Sequence, residues 1–179
     1  MKSNIEFASS EDLSERQKNG LQKLREVVYP PEVIATLPGR FFTWAAPQWS
    51  VFVWEEDELV SRVGLLTREI THNRIEKHVG GIGGVMTHPQ MQGQGLASEA
   101  MREAARLFDS ELNVSFALLF CRPHLIKFYQ RLEWRVFEGK VLVEQPEGKV
   151  EFAVNGPMLL DVREEAPLNG TLDLNGLPW

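Results

Sequence analysis

Apolar residues recur along this chain with two different periods. Between Leu13 and Val28 they keep one helical face, at Leu13, Leu21, Leu24 and Val28, with Ser9, Ser10 and Asp12 as candidate N-caps. A first helix is therefore predicted over about Glu11 to Val28, ended by Pro30-Pro31. Trp49 to Trp54 (WSVFVW) is rich in β-branched and aromatic residues without polar alternation, which predicts a strand covered on both faces. Further strands are predicted at Leu59 to Ile70 and near Ile75 to Thr87, with turns at Glu55-Glu56-Asp57-Glu58 and around His72-Asn73.

The helical period then returns. Leu96, Ala97, Ala100, Met101, Ala104 and Phe108 share one face, and Glu99, Arg102, Glu103 and Arg106 share the other. Phe116 to Cys121 is a short, fully apolar strand, and Pro123 suits the first turn of a helix running to about Leu132. Trp134 to Val143 and Val150 to Leu160 are predicted as a closing pair of strands with a turn at Glu147-Gly148; the tail from Ala166 reads as irregular. The order of helix, antiparallel strands, helix, strand, helix and strands defines an α+β, or mixed α/β, plan on one sheet, expected to occupy residues 1–179 as a single domain.

Composition narrows the function. Of 179 residues, 43% are apolar and 25% charged, ordinary values for a chain with a substantial core. The 19 basic and 25 acidic side chains leave a formal charge of −6, which argues against nucleic acid or an anionic membrane as partner and suits a cationic one. The single cysteine, Cys121, makes neither an internal disulfide nor a cysteine metal site, and no metal is expected. The N-terminus has no apolar signal core and the longest wholly apolar run is Phe116 to Cys121, so a cytoplasmic location is expected.

Candidate chemistry centres on Val85 to Ala97 (VMTHPQMQGQGLA), where a strand gives way to a two-glycine loop and then a helix. The first turn of a helix carries unpaired N–H groups at the positive end of its dipole, and glycine lets a phosphate approach closely. A Walker loop needs a lysine after the glycines, and a dinucleotide loop needs a third small residue in its place and parallel strands upstream; this segment meets neither requirement. A plain strand-to-helix turn is the alternative to a phosphate cradle. The spacing Gln90-x-x-Gly93-x-Gly95 resembles the Gln/Arg-x-x-Gly-x-Gly/Ala pyrophosphate loop of the GNAT N-acetyltransferase superfamily. Phe128-Tyr129-Gln130-Arg131-Leu132-Glu133-Trp134 is similar to the same family's Phe-Tyr-x-x-x-Gly-Phe/Trp segment, with Glu133 in place of the glycine, so that a different helix end is expected there.

The resemblance spans about Val51 to Val143. It implies a central, mostly antiparallel sheet of six to seven strands, about four flanking helices, and a splay at an acetyl-CoA site. It implies that amides of Gln92, Gly93, Gln94, Gly95, Leu96 and Ala97 hold the pyrophosphate, and that the backbone of Val85, Met86 and Thr87 pairs with the pantetheine arm. It also implies direct attack of a small-molecule amine on the thioester, with Tyr129 as general acid; the other reading of Tyr129 is a packed core tyrosine. A phenol with a reference pKa near ~10 is protonated at neutral pH and able to donate. Gly80, Gly81, Gly83 and Gly84 predict a bulge or a close approach, which suits a thioester beside an oxyanion-binding N–H; a weak strand is the plainer alternative.

No base is assigned. Gly80 to Thr87 lacks the glutamate that several family members carry, and His88, His78 and Glu76 are the nearest titratable groups. Cys121 reads as packing despite His124 nearby, and His72 and His78 as surface residues. Phe41, Phe42, Trp44 and Trp49 either line an acceptor pocket or belong to the core, with the core preferred. Within the family, the loop, the Tyr129 helix and the tail Gly170 to Trp179 resemble the branch of aminoglycoside 2'-N-acetyltransferases and nodulation N-acyltransferases. That resemblance implies Asp173 and Trp179 as substrate-binding residues, the latter through a terminal carboxylate where Trp179 is the native end. A longer acyl donor, a non-catalytic CoA-binding module and a homodimer all stay open.

Overall fold

The structure, a computed structural model, describes residues 4–179; Met1 to Ser3 of the expected domain lie outside it. The elements run β1 (Asn4–Ser9), α1 (Glu15–Val28), α2 (Pro31–Ile34), β2 (Trp49–Glu55), β3 (Glu58–His72) and β4 (Ile75–Thr87), then α3 (Leu96–Ser110) and β5 (Phe116–Cys121). They continue with α4 (Ile126–Gln130), β6 (Arg135–Val136), β7 (Lys140–Gln145), β8 (Gly148–Glu151), β9 (Gly156–Asp161) and β10 (Thr171–Asp173).

One mixed sheet holds ten strands in the order β6-β9-β5-β4-β3-β10-β7-β8, with β2 on the first half of β3 and β1 outside β2. Only β4–β5 and β10–β7 pair in parallel. The count exceeds the expected six to seven for local reasons. Each closing segment splits in two, giving β6 and β7, then β8 and β9, while β1 and β10 come from stretches with no strong strand pattern.

The first helix also starts later than its nearest cap candidates suggest. Ser14 accepts from the Gln17 N–H while the Gln17 side chain accepts from the Ser14 N–H, a reciprocal capping box. Ser9 and Ser10 are engaged elsewhere: Ser9 Oγ accepts from the Glu11 N–H and Ser10 Oγ donates to the Pro47 carbonyl.

Two layers cover the sheet. On one face Val51, Val63, Leu65, Ile82 and Leu119 meet Ala100, Ala104 and Phe108 of α3. The other face is shared between Phe52, Trp54 and Met86 against Leu24 of α1, and Leu66, Ile70, Val79 and Leu118 against Phe137, Leu172 and Trp179. The glycines of β4 answer to this packing. A Cβ on Gly80 would lie 2.4 Å from the Phe108 ring, and one on Gly81 would lie 2.4 Å from the Trp179 ring on the opposite face. The close approach foreseen in the sequence is thus made at these two positions by aromatic side chains of the protein itself.

Beyond Ile82 the sheet opens. Strand β4 pairs with β5 only from Val79 to Ile82, against Phe116 to Leu119, and then continues to Thr87 bonded to β3 alone. The β3–β4 register slips between the pairs Gly64↔Gly83 and Arg62↔Met86, leaving one extra residue in β4. This is a β-bulge, and Gly84 takes a left-handed φ of +57° within it. A bulge sharpens the local twist, and here it turns β4 away from β5 and leaves a wedge between their ends.

Candidate active site

Two cavities meet in that wedge. The first, about 460 Å³, lies between the end of β4, the start of α3 and α4, and Val85, Met86, Thr87, Gln92, Gly93, Gly95, Leu96 and Ala97 all line it. Eight of the nine expected cofactor residues are therefore brought together. Gln94 is not among the lining; its amide points back onto Met91 Sδ, 3.7 Å away. Phe128 and Arg131 also line this cleft. Among the described residues Arg131 is the one cation of its lining, and in the sequence it stands two residues past Tyr129 with nothing to distinguish it from a solvated helix arginine.

The loop is built as an open cradle. Gly93 and Gly95 have φ of +79° and +88°, and a Cβ on either would meet no atom within 4 Å. Gly95 is the N-cap of α3, and the first helical bond is Glu99 N–H to the Gly95 carbonyl at 3.0 Å. The amides of Leu96, Ala97 and Ser98 precede that bond and have no partner within the helix, at the positive end of its dipole, an arrangement suited to an anion. His88 holds the loop's entry: its Nδ1 accepts from the Gln90 N–H and its N–H donates to the Val60 carbonyl. That engagement is structural, and His88 lines neither cavity of the wedge. Glu76 and His78 sit at the hairpin end of β4, opposite Thr71 and Glu69.

The second cavity, about 560 Å³, lies on the far side of the wedge and shares Val85, Leu125 and Tyr129 with the first. The segment from Tyr29 to Trp44 forms one wall, Gly83 and Gly84 the floor, and Phe120, Arg122 and Trp179 the opposite wall. Trp44 thus serves this cavity, while Trp49 packs against the core on the other face. Trp179 is 6% exposed, donates from its indole N–H to the Leu118 carbonyl at 3.1 Å, and lies under the Arg68 guanidinium. Asp173 is elsewhere: it is half-buried on β10, its carboxylate bonded to Lys149, and it does not line the cavity.

Tyr129 stands where the cavities join. It is 5% exposed, its ring packs edge-on to Phe128 and Trp134, and its hydroxyl has no hydrogen-bond partner among the described residues. Burial, assisted by Cys121 and Tyr29, holds its phenol above the ordinary range, so it stays protonated and ready to donate. The helix end fixes its position. Trp134 N–H donates to the Tyr129 carbonyl and Glu133 N–H to the Gln130 carbonyl, with Glu133 at φ +69°. This is a Schellman motif. The exchange of glycine for Glu133 therefore leaves the turn unchanged, contrary to the expected different ending, and places the strain on a residue with a side chain. Glu133→Gly is expected to stabilise the fold by about 0.5–1 kcal/mol, read from denaturant melts, because a left-handed L-residue costs about 1–2 kcal/mol and glycine's extra chain entropy offsets part of it.

Cys121 also lines the second cavity. It is buried against Met158 Sδ at 3.5 Å, and burial pushes its thiol up to about 11, which disfavours the thiolate at neutral pH.

Arg62, which the sequence reading passed over, lines neither cavity but bonds the bulge that floors the second. It is buried in β3, donates from Nε and Nη2 to Ser50 Oγ (3.1 and 2.9 Å), and donates from Nη1 to the Gly84 carbonyl (3.1 Å). No carboxylate pairs with it among the described residues. Burial and the nearby Arg25 lower its pKa to about 10, and Tyr29 partly opposes them, so it is charged at neutral pH. The Gly84 carbonyl and the Val85 N–H share one planar trans peptide, and Arg62 on the carbonyl aims that N–H the opposite way. A cation on the carbonyl also polarises the amide and strengthens its N–H as a donor.

The Acetyltransferase (GNAT) domain family model matches residues 14–137, and the chain belongs to the GNAT acetyltransferase family. It is an acyltransferase by that membership. Its fold is similar to that of an acyl-CoA N-acyltransferase from Pseudomonas aeruginosa, 19% identical, with 89% of this chain and 99% of that one covered and a TM-score of 0.62. A GNAT family acetyltransferase from Brucella melitensis in complex with acetyl-CoA is 14% identical, with 94% of each chain covered and a TM-score of 0.58. The GNAT family N-acetyltransferase YhbS from Escherichia coli in complex with CoA is 12% identical, with 96% of this chain and 89% of that one covered and a TM-score of 0.61. No curated protein matches the sequence.

Proposed function

We propose that the protein transfers the acetyl group of acetyl-CoA to the primary amine of a small molecule by direct attack, with Tyr129 as general acid. The observation that carries this reading is the meeting of two cavities, one lined by the glycine loop, at the unbonded hydroxyl of one otherwise buried tyrosine. The amine nitrogen attacks the thioester carbon, the C–S bond breaks, and the departing thiolate takes the Tyr129 proton. Solvent takes the proton lost by the amine and restores Tyr129. The Val85 N–H, set by Arg62, is suited to the transient oxyanion. The acetyl-CoA and CoA complexes of the Brucella melitensis and Escherichia coli proteins support the donor.

A free hydroxyl at the junction favours catalysis over a bare CoA-binding module. The motif resemblance favours an aminoglycoside or amino sugar as acceptor, with Asp173 and Trp179 as its binding residues. The cavity weighs against a polycation, because no aspartate or glutamate lines it and Asp173 is paired with Lys149. Trp179 remains a substrate-facing residue by position.

Thiol release from acetyl-CoA, measured across amino acids, amino sugars, aminoglycosides and polyamines, tests the reading. Turnover with at least one amine is expected. Tight acetyl-CoA binding with no turnover on any amine would overturn acetyl transfer, and a rate with octanoyl-CoA above that with acetyl-CoA would replace the donor with a longer acyl chain. Gly95→Ala is expected to weaken acetyl-CoA binding about tenfold in titration calorimetry, since φ of +88° strains an L-residue by about 1–2 kcal/mol and the added methyl stands in the anion's path.

A further inference from the structure

The cavity that faces Tyr129 from the acceptor side has a charge and a shape that no motif reports. Its ionisable lining side chains, tyrosines and cysteine aside, are Arg40, Arg122 and His124, and no carboxylate side chain accompanies them. Arg122 directly follows β5 at the mouth of the wedge, is half-buried, and makes no ion pair or hydrogen bond with any described residue through its side chain. Arg40 is held in place, donating to the Leu37 carbonyl at 3.0 Å and stacking on Phe41 at 4.4 Å. A half-buried guanidinium without a counter-charge has lost part of its hydration and gained no protein partner in return. It is poised to take a planar oxyanion through two parallel N–H bonds. Apart from Asn155 and three glycines, the rest of the lining is apolar or aromatic, with Leu37, Trp44, Phe120 and Trp179 among it.

We infer that the acceptor is an amine carrying both a carboxylate and an apolar or aromatic body, an amino acid or a compound built like one, with Arg122 reading the carboxylate. This inference rests on the acetyl-transfer reading of the same site. It also fits the absence of aspartate and glutamate side chains from the described lining of both cavities, since such a side chain beside Arg122 would pair with it and repel the substrate.

Binding tests it independently of turnover, because Trp44 and Trp179 both line the cavity and report an occupant by their fluorescence. The probes are N-acetyl-L-phenylalanine, its amide, and N-acetylglycine, each titrated into the full-length protein with CoA bound. The acid is expected to bind about tenfold or more tightly than the amide, as a charged bidentate pair should. N-acetylglycine, which has the carboxylate and lacks the body, is expected to bind at least about tenfold more weakly than the phenylalanine product. In Arg122→Gln the preference for acid over amide is expected to shrink to within about twofold, and Arg122→Lys should restore part of it.

Equal binding of acid and amide, or tighter binding of kanamycin or spermidine than of either, would overturn the proposal. A preference that survives Arg122→Gln would overturn the role of Arg122. The two readings also fail separately. Acid-selective binding with no acetyl transfer to L-phenylalanine or any other amine would overturn acetyl transfer and leave the anion site standing. Turnover on cationic amines alone would do the reverse.

Discussion

Replacing Tyr129 with Phe is expected to lower kcat by about 10²–10⁴-fold, the usual contribution of a positioned proton donor. The KM for acetyl-CoA should change little, because the ring makes the packing contacts and only the unbonded hydroxyl is removed. A tyrosine present merely for packing would give no such split between kcat and KM. The pH profile supplies a second mark. With no aspartate or glutamate lining either cavity, kcat/KM should climb with pH through the pKa of the acceptor amine itself. The alkaline limb reports loss of the acid's proton. Because burial raises the Tyr129 phenol, that limb should lie above the ordinary ~10 rather than at it. A profile falling between pH 8 and 9 would assign the acid to another group.

The second large effect is expected at Arg62. Arg62→Met fills a similar volume and removes a buried charge that no carboxylate balances, so stability should change by no more than about 2 kcal/mol. The loss of a hydrogen-bond donor at the Gly84 carbonyl and Ser50 opposes the gain from removing the charge. Catalysis has no such compensation. Without the guanidinium the Gly84–Val85 peptide is free to turn, and its N–H is no longer held at one angle or polarised. Removing an oxyanion donor typically lowers kcat about 10²–10³-fold, and a loss toward that range is expected with the melting temperature nearly unchanged. Arg62→Lys should recover little, because one ammonium does not reach Ser50 and Gly84 in the geometry of the planar fork. Equal falls in activity and stability would reduce Arg62 to a structural residue.

Much of the candidate site was legible because its parts are local. The cradle of Gln92 to Ala97 and the Tyr129 helix each occupy a few consecutive residues, and the end of one strand sets where they point. The strands Trp49–Glu55, Glu58–His72 and Ile75–Thr87 announced themselves by apolar content over long runs. The strand Thr171–Asp173 did not, since three residues carry no period, and its place is set by the two strands that receive it. Arg62 was hidden by the alternation rule, under which a polar residue in a strand faces water. Its neighbours from Leu59 to Leu66 are buried, however, and a polar residue within a strand covered on both faces is the signal that would have found it. The acceptor cavity had no sequence signature at all. Its walls come from around residues 29–44, 82–85, 119–129, 155 and 179, which only the completed chain brings together. The ion pair of Asp173 with Lys149 was hidden for a related reason: it joins β10 to β8 across β7, between residues 24 positions apart in the chain.

Strand β10 joins β7 and β8 to the rest of the sheet, because β7 reaches β3 only through it. In synthesis order it comes after every other strand. As the chain leaves the ribosome, the β7–β8 hairpin therefore has no strand beside it until residues 171–173 are released, and Trp179 cannot yet close the wall of the second cavity. The first cavity is lined by Val28 and by residues between 85 and 131, all of which leave the ribosome earlier. The lining of the first cavity is thus synthesised in full before the last wall of the second.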